Sequence, residues 1–231
     1  MKKVFLDAGH GGRDPGAVGN GLQEKNIVLP VTLKIGEILK QHGLEVVYSR
    51  TTDTFIELNE RANMANNAKA DVFVSIHCNS ATNTSARGVE TYSYPGSTDG
   101  GKLAKAIQDS VINAKIFSHN RGTKTANFAV LRLTRMPAAL VELGFISNKL
   151  DTEIQKTKQE EMAEAVAKGI LNYLGIKYEG KSQVKVRIKG KLHYIDGFMK
   201  DNVNYVAIRQ ILESLGHKVG WDNAKQEVLV D

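Results

Sequence analysis

KVFLDAGHGGRDPGAVGNGLQEKNIVLPVTLKIGEILKQHGLEVVYS, residues 3–49, is the stretch from which the fold is read. It opens on a short apolar run, Lys3–Leu6, that ends in Asp7-Ala8-Gly9-His10-Gly11-Gly12. A glycine-rich loop follows, with Gly16, Gly19 and Gly21. Ile27, Leu29, Val31, Leu33, Ile35, Ile38 and Leu39 come next, and from Val31 onward they fit one helical face. Gly43 stops that helix, and Glu45–Ser49 reads as a second strand.

The same alternation continues downstream. Leu58–Asn66 is a short helix with Leu58, Ala62 and Ala65 on one side. Asp71–Ile76 (DVFVSI) is a buried strand, and Gly88–Tyr94 is another, with Val89, Thr91 and Ser93 alternating against Glu90, Tyr92 and Tyr94. Leu103–Ile116 is helical, Ala129–Leu131 and Ala138–Val141 are short strands, and Met162–Leu174 is an amphipathic helix closed by Gly175. Strands alternating with helices of this length predict an α/β domain over residues 1–176: a mostly parallel sheet with helices on both faces.

Lys177–Gln183 (KYEGKSQ) is polar, contains Gly180, and reads as a linker over residues 177–183. The period then changes. Val184, Val186 and Ile188 alternate with Lys185, Arg187 and Lys189, Gly190-Lys191 forms a turn, and Leu192, Tyr194 and Ile195 complete a hairpin. A helix over Tyr205–Leu215 and a last strand pair, His217–Trp221 and Glu227–Val230, around Asp222-Asn223-Ala224-Lys225 give a small ββαββ domain at residues 184–231.

Composition narrows the class. The chain has 231 residues, 42% of them hydrophobic, which suits a packed core. A single cysteine excludes a disulfide framework and any cysteine-cluster metal site. No apolar run reaches the roughly 18 residues of a membrane span, so no membrane insertion is expected. The N-terminus carries only Val4, Phe5 and Leu6 before Asp7, short of the roughly 7–15 residues of a secretory core. The net charge of +6 points to anionic partners.

Three residues carry candidate chemistry. His10 follows the first strand, His77 ends the Asp71–Ile76 strand, and Glu24 lies where the first helix begins. Side chains at the carboxyl ends of parallel strands converge on one crevice. Two imidazoles and a carboxylate are the ligand set of an open catalytic zinc site, whose fourth position holds a water acidified to about pKa 7. A hydrolase also needs a base that is not a ligand. Glu142 follows the apolar run Ala138–Val141 and is expensive to bury without a task. Each residue alone has a plainer reading. A strand-end histidine serves as a structural hydrogen-bonder, Glu24 complements a helix dipole, and Glu142 pairs with a buried cation. Cys78 points away from His77 by strand alternation and reads as a buried small hydrophobe.

The large domain resembles the zinc-dependent N-acetylmuramoyl-L-alanine amidases of the Amidase_3 family. The resemblance rests on DAGHGGRDPGAVG (7–19), Glu24, SRTTDTFIELNERANMANNAKADVFVSIHCNS (49–80), GVETY (88–92) and LVELGFISN (140–148), in order across about 175 residues. Ala8 departs from the proline usual at that position, and Cys78 from the small residue usual after the second histidine. The resemblance implies that His10, Glu24 and His77 bind one catalytic zinc ion and that Glu142 is the catalytic carboxylate. It implies hydrolysis of the amide between the lactyl group of N-acetylmuramic acid and the L-alanine of the peptidoglycan stem peptide. Asn79, on the same strand face as His77, is a candidate donor to a substrate carbonyl or a cap of the strand-end loop. Arg61 reads as a surface or ion-pair residue, Arg50 as a partner for Asp53, and His119 as a solvated loop residue.

Residues 188–230 resemble the short repeat called the copper amine oxidase N-terminal-like domain, which has no copper-site motif. That resemblance suggests attachment to anionic cell-wall polymers, or alternatively dimerisation, and Trp221, Tyr194 and Tyr205 read as fillers of its small core or, in the alternative, as platforms for sugar rings. The expected partner is peptidoglycan, with no nucleic acid. The rival functions are a zinc peptidase or deacetylase acting on another amide, and a wall-binding or dimerising protein with an inactive amidase domain. The missing secretory core leads to the expectation of a protein made in the cytoplasm that reaches the wall after holin-type or mother-cell lysis, as a phage endolysin or a sporulation autolysin does.

Overall fold

The computed structural model describes residues 1–180, 182–188, 191–200, 203–206, 208–222 and 227–230. They fall into two units, Met1–Tyr178 and Glu179–Asp231.

In the first unit, β1 (Lys3–Ala8) leads through a two-rung ribbon, β2 (Val18–Gly19) and β3 (Leu22–Gln23), into α1 (Glu24–Gln41) and β4 (Glu45–Tyr48). Then come α2 (Leu58–Asn67), β5 (Val72–Asn79), β6 (Val89–Ser93), α3 (Thr98–Asn113) and β7 (Asn120–Thr125). The unit closes with α4 (Ala129–Leu133), β8 (Ala138–Phe145), α5 (Lys149–Thr157) and α6 (Gln159–Tyr173). The sheet runs β4-β1-β5-β8-β6-β7. β4, β1, β5 and β8 are parallel; β6 pairs antiparallel with β8 and parallel with β7. The fold is therefore the expected α/β class, with two reversed strands on one side.

Strand alternation sorts the side chains between two cores. Val4, Leu6 and Ala8 of β1, with Val72, Val74, Ile76 and Cys78 of β5, pack with residues of α1, α3 and α6. Phe5 and Phe73 face the other way and meet Ala65 of α2 and Val130 and Leu131 of α4, their rings stacked at 5.7 Å. Cys78 lies in the first core, 3% exposed, as alternation predicts. The second face is apolar only over part of the strands. Beyond Phe5 and Phe73 it turns polar, at Asp7, Ser75, His77 and Glu142.

Several expectations need correction. Ala129–Leu131 is not a strand but the start of α4. Val130 and Leu131 are consecutive and both buried in the second core, and Thr134 Oγ1 closes the turn on Val130 O at 2.9 Å. A three-residue apolar run fits a helical turn as well as a strand. The polar stretch around His119 and Gly122 contains β7, an edge strand with no apolar alternation to reveal it. Asn148 caps α5, which was not anticipated, by accepting from the Leu150 and Asp151 N–H groups.

In the second unit, β9 (Ser182–Ile188), β10 (Lys191–Lys200) and β11 (Val203–Val206) form an antiparallel sheet in the order β11-β10-β9. α7 (Ile208–Ser214) precedes an antiparallel pair, β12 (Val219–Asp222) and β13 (Glu227–Val230). Tyr205 lies in β11 rather than at the start of a helix. Gly190 of the expected turn and Asn223-Ala224-Lys225 of the last one lie outside the described residues, as do the side chains of Tyr194, Tyr205 and Trp221.

Candidate active site

The loop after β1 is held from below by two arginines. Arg61, 2% exposed, donates to Asp7 Oδ1 (2.8 Å) and to the carbonyls of Ala8 and His10 (2.6 and 2.7 Å). Arg50 donates to the carbonyls of Ala8 (3.0 Å), Gly9 (2.7 Å) and Thr52 (3.0 Å). It does not pair with Asp53, which instead accepts from Gly12 N and Lys25 Nζ at 2.8 and 2.7 Å. Two guanidiniums with five donors each can fix many carbonyls of an irregular loop. The sequence offered no sign that these arginines serve a backbone rather than a surface.

That loop sets His10, at φ 57, against the first turn of α1. Its Nε2 lies 3.1 Å from Glu24 Oε2, and its Nδ1 lies 2.8 Å from Asp14 Oδ2. His77 at the end of β5 places Nδ1 2.9 Å from Glu24 Oε1. The two imidazoles meet edge to face at 4.9 Å. Glu24 is further fixed by the Ala17 and Cys78 N–H groups, both at 2.9 Å. One nitrogen or oxygen from each of His10, Glu24 and His77 lies within 4.8 Å of the others, and among the described residues these three form the one such cluster.

Two glycines make room for it. A Cβ on Gly9 would lie 2.4 Å from His77 Cε1. One on Gly16, at φ +67, would lie 2.6 Å from His10 Cδ2 and 2.7 Å from Glu24 Oε2.

The electrostatics suit a cation. Glu24 is penalised by burial, yet the two histidines hold its carboxyl far below the ordinary range. Burial opposes the His77 imidazolium, but the Glu24 hydrogen bond and charge lift it to about 9. In this arrangement Glu24 draws positive charge into the cluster, and it is met by protons on the histidines.

Glu142 stands beside His77: the two are paired residues of β8 and β5. Burial pushes its carboxyl up to about 7; His77 pulls it down, while Glu24 and Glu90 push it up. Glu142 Oε2 is shielded from solvent and has no hydrogen-bond partner among the described residues. A buried carboxylate oxygen left unpaired is costly.

Glu90, paired with Glu142 across β6 and β8, was not singled out from the sequence. It is 2% exposed and accepts from Asn79 Nδ2 (2.5 Å), Tyr92 Oη (2.8 Å), Arg121 Nε (2.8 Å) and Lys124 Nζ. Burial raises its pKa, but the two cations and the tyrosine more than offset that and lower it. Asn79 is thus joined to Glu90 at Nδ2, while its Oδ1 accepts from Ser80 N at 2.7 Å. In the sequence Glu90 shows only as a face-mate of Tyr92 within the GVETY motif, and the cations that meet it lie on β7. His119 is exposed in the loop before β7.

Comparison with known proteins agrees with this geometry. The N-acetylmuramoyl-L-alanine amidase family model matches residues 4–172. A sporulation-specific N-acetylmuramoyl-L-alanine amidase of Bacillus subtilis is 45% identical over 177 residues, covering 75% of this chain and 67% of that protein. The endolysin of Bacillus phage SPP1 is 41% identical over 184 residues, covering 76% and 67%. Among solved structures, the catalytic domain of CwlV, an N-acetylmuramoyl-L-alanine amidase from Bacillus (Paenibacillus) polymyxa var. colistinus, matches with a TM-score of 0.73 and 41% identity over 77% of this chain and 100% of that one. A match that begins inside β1 and ends inside α6 takes in every element that positions the histidines and carboxylates, and the chain therefore belongs to the Amidase_3 family of N-acetylmuramoyl-L-alanine amidases.

Proposed function

We infer that this N-acetylmuramoyl-L-alanine amidase cuts the amide between the lactyl group of N-acetylmuramic acid and the L-alanine of the stem peptide, using one zinc ion held by His10, Glu24 and His77. The observation that carries this is the convergence of those three side chains within 4.8 Å beside Glu142. The donor set fits the ion. Two imidazoles and one carboxylate leave a fourth position open, and Asp14 on His10 Nδ1 is the outer carboxylate that orients a ligating histidine. When bound, zinc supplies a Lewis acid that polarises the substrate carbonyl and acidifies water.

The remaining work falls to the chain. Glu142 accepts a proton from the attacking water at its unpartnered Oε2 and returns it to the L-alanine nitrogen as that bond breaks. Burial raises its pKa above the ordinary carboxylate range, to about 7 before a metal binds, which suits a group that must both take and give a proton. Glu90 next to it is kept ionised, so two adjacent carboxylates have separate roles set by environment. The second amide hydrogen of Asn79 Nδ2 serves a substrate carbonyl while the first stays on Glu90.

Residues 1–176 act as the catalytic domain and 177–183 as a linker, while 184–231 attach the enzyme to anionic wall polymers. That last stretch lies within the more basic part of the chain, with nine Lys and Arg against six Asp and Glu over residues 180–231. The place of action is the cell wall, with peptidoglycan as partner.

The test is digestion of purified peptidoglycan with the zinc-loaded chain, followed by end-group analysis. New N-terminal L-alanine is the expected product, and chelation should abolish it. Release of D-alanine or of reducing sugar ends would instead reassign the chain to another hydrolase class.

A further inference from the structure

Glu90 carries more cation than its own charge requires. One carboxylate, 2% exposed, meets both Arg121 and Lys124, so the cluster keeps one net positive charge beside the reacting centre.

Arg121 is held in a particular way. Its Nε donates to Glu90 Oε2 at 2.8 Å, and its guanidinium lies 4.8 Å from the centre of the Phe145 ring. The two Nη atoms have no hydrogen-bond partner among the described residues. The side chain is 29% exposed, so those donors reach solvent. A guanidinium pinned at Nε and laid on an aromatic ring keeps its terminal pair in a fixed plane, the geometry that takes a carboxylate with two parallel hydrogen bonds. Lys124 adds charge from the same strand, its Nζ 5.9 Å from the Tyr92 ring centre.

The spacing points to a particular part of the substrate. Arg121 lies on β7, and β6 alone separates that strand from β8 and Glu142. Its guanidinium reaches back from there onto Glu90 of β6 and the Phe145 ring of β8, so it stands roughly one to two strand spacings, about 5–10 Å, from Glu142, and successive residues of a peptide are about 3.8 Å apart. A group bound by Arg121 thus belongs to the one or two residues after the L-alanine whose amide is cut.

We propose that Arg121 is a specificity-determining residue that binds a carboxylate of the stem peptide just beyond the scissile amide, with Lys124 supplying supporting charge. This rests on the amidase reading above, and its test separates the two.

Two soluble muropeptides are compared that differ only in whether the first carboxylate after L-alanine is free or converted to an amide. The wild-type zinc enzyme should cleave both and favour the free acid by about tenfold to a hundredfold in kcat/KM. In Arg121→Ala, and in Arg121→Lys, which keeps the charge on Glu90 but loses the fork, that ratio should fall toward one. A structural counter-ion would lower both substrates alike and leave the ratio intact. An unchanged ratio in both variants, or no preference in the wild type, overturns the proposal while leaving the amidase assignment standing. Failure of the wild type to cleave either substrate overturns both.

Discussion

Asp14 Oδ2 lies 2.8 Å from His10 Nδ1, the ring nitrogen that does not face Glu24. With Asp14 accepting from Nδ1–H, the neutral ring presents Nε2 to the zinc ion proposed above. Asp14→Ala keeps all three ligands, and zinc affinity should nonetheless fall about 10–100-fold. Competition with a chelating dye measures this; an unchanged affinity would mean that Asp14 only shapes the loop.

Glu142 makes no hydrogen bond through Oε2, so its replacement should leave the fold intact. Glu142→Gln is expected to bind zinc stoichiometrically and to lose about 10²–10⁴ in kcat. The base must be ionised to act, so wild-type activity should rise with pH through the pKa of Glu142. That value is about 7 without metal, and a bound dication moves it lower. An acid limb at or below neutrality in kcat/KM, absent from the residual activity of Glu142→Gln, is the result to look for.

Gly9 tests the packing of the site without touching a ligand. Its φ is not in the left-handed region, so the one obstacle to alanine is the His77 ring 2.4 Å from the new Cβ. Gly9→Ala should displace His77, cost about 1–3 kcal/mol of stability and drop bound zinc below one per chain. Gly21→Ala is the control. Gly21 has φ +78 but nothing within 4 Å, so strain of about 1–2 kcal/mol should come with full zinc content. Metal analysis and thermal melts of the two variants distinguish a steric cause from a backbone one.

The Asp7–Arg61 pair, both members buried, should be costly to break from one side. Arg61→Ala leaves Asp7 without its ion-pair partner and takes a donor from the His10 carbonyl, with a loss of about 3–5 kcal/mol. Burial alone would raise the pKa of Asp7, but Arg61 and the Ser75 hydroxyl hold it below its ordinary value. The ionised form is therefore favoured by folding. Its contribution is complete above the unfolded pKa of about 4 and is lost as pH falls through the lower folded value. Denaturant melts across that acid window should show less pH dependence in Asp7→Asn than in the wild type, and parallel curves would remove Asp7 from the account.

Reading the sequence worked where a residue's position is set by its own strand. His10 and His77 follow apolar runs whose alternation is plain, and Glu142 follows another, so their convergence at one edge of a parallel sheet was legible. What stayed hidden was set by partners distant in sequence. Glu90 is one of three residues on one face of an alternating strand, and only pairing with β8 brings it to Glu142. β7 reads NRGTKT, with no apolar period, because an edge strand needs none on its open side. The reversal of β6 and β7 was likewise invisible, since local pattern carries strand type but not direction. Arg61 does form the ion pair that was one of its two readings, with Asp7, but its service to the loop carbonyls, like that of Arg50, is recognisable only once those carbonyls are placed.

The border position of β7 bears on how the site is divided. His77 and Glu142 stand on central strands, Glu24 on the first turn of a packed helix and His10 in the loop that two buried arginines hold, where almost any exchange disturbs several neighbours. Arg121 and Lys124 stand on the outermost strand, which hydrogen-bonds to a single neighbour. On the proposal above, what the enzyme selects beyond the scissile amide is thus written in a six-residue margin of the sheet, apart from the residues placed at its centre.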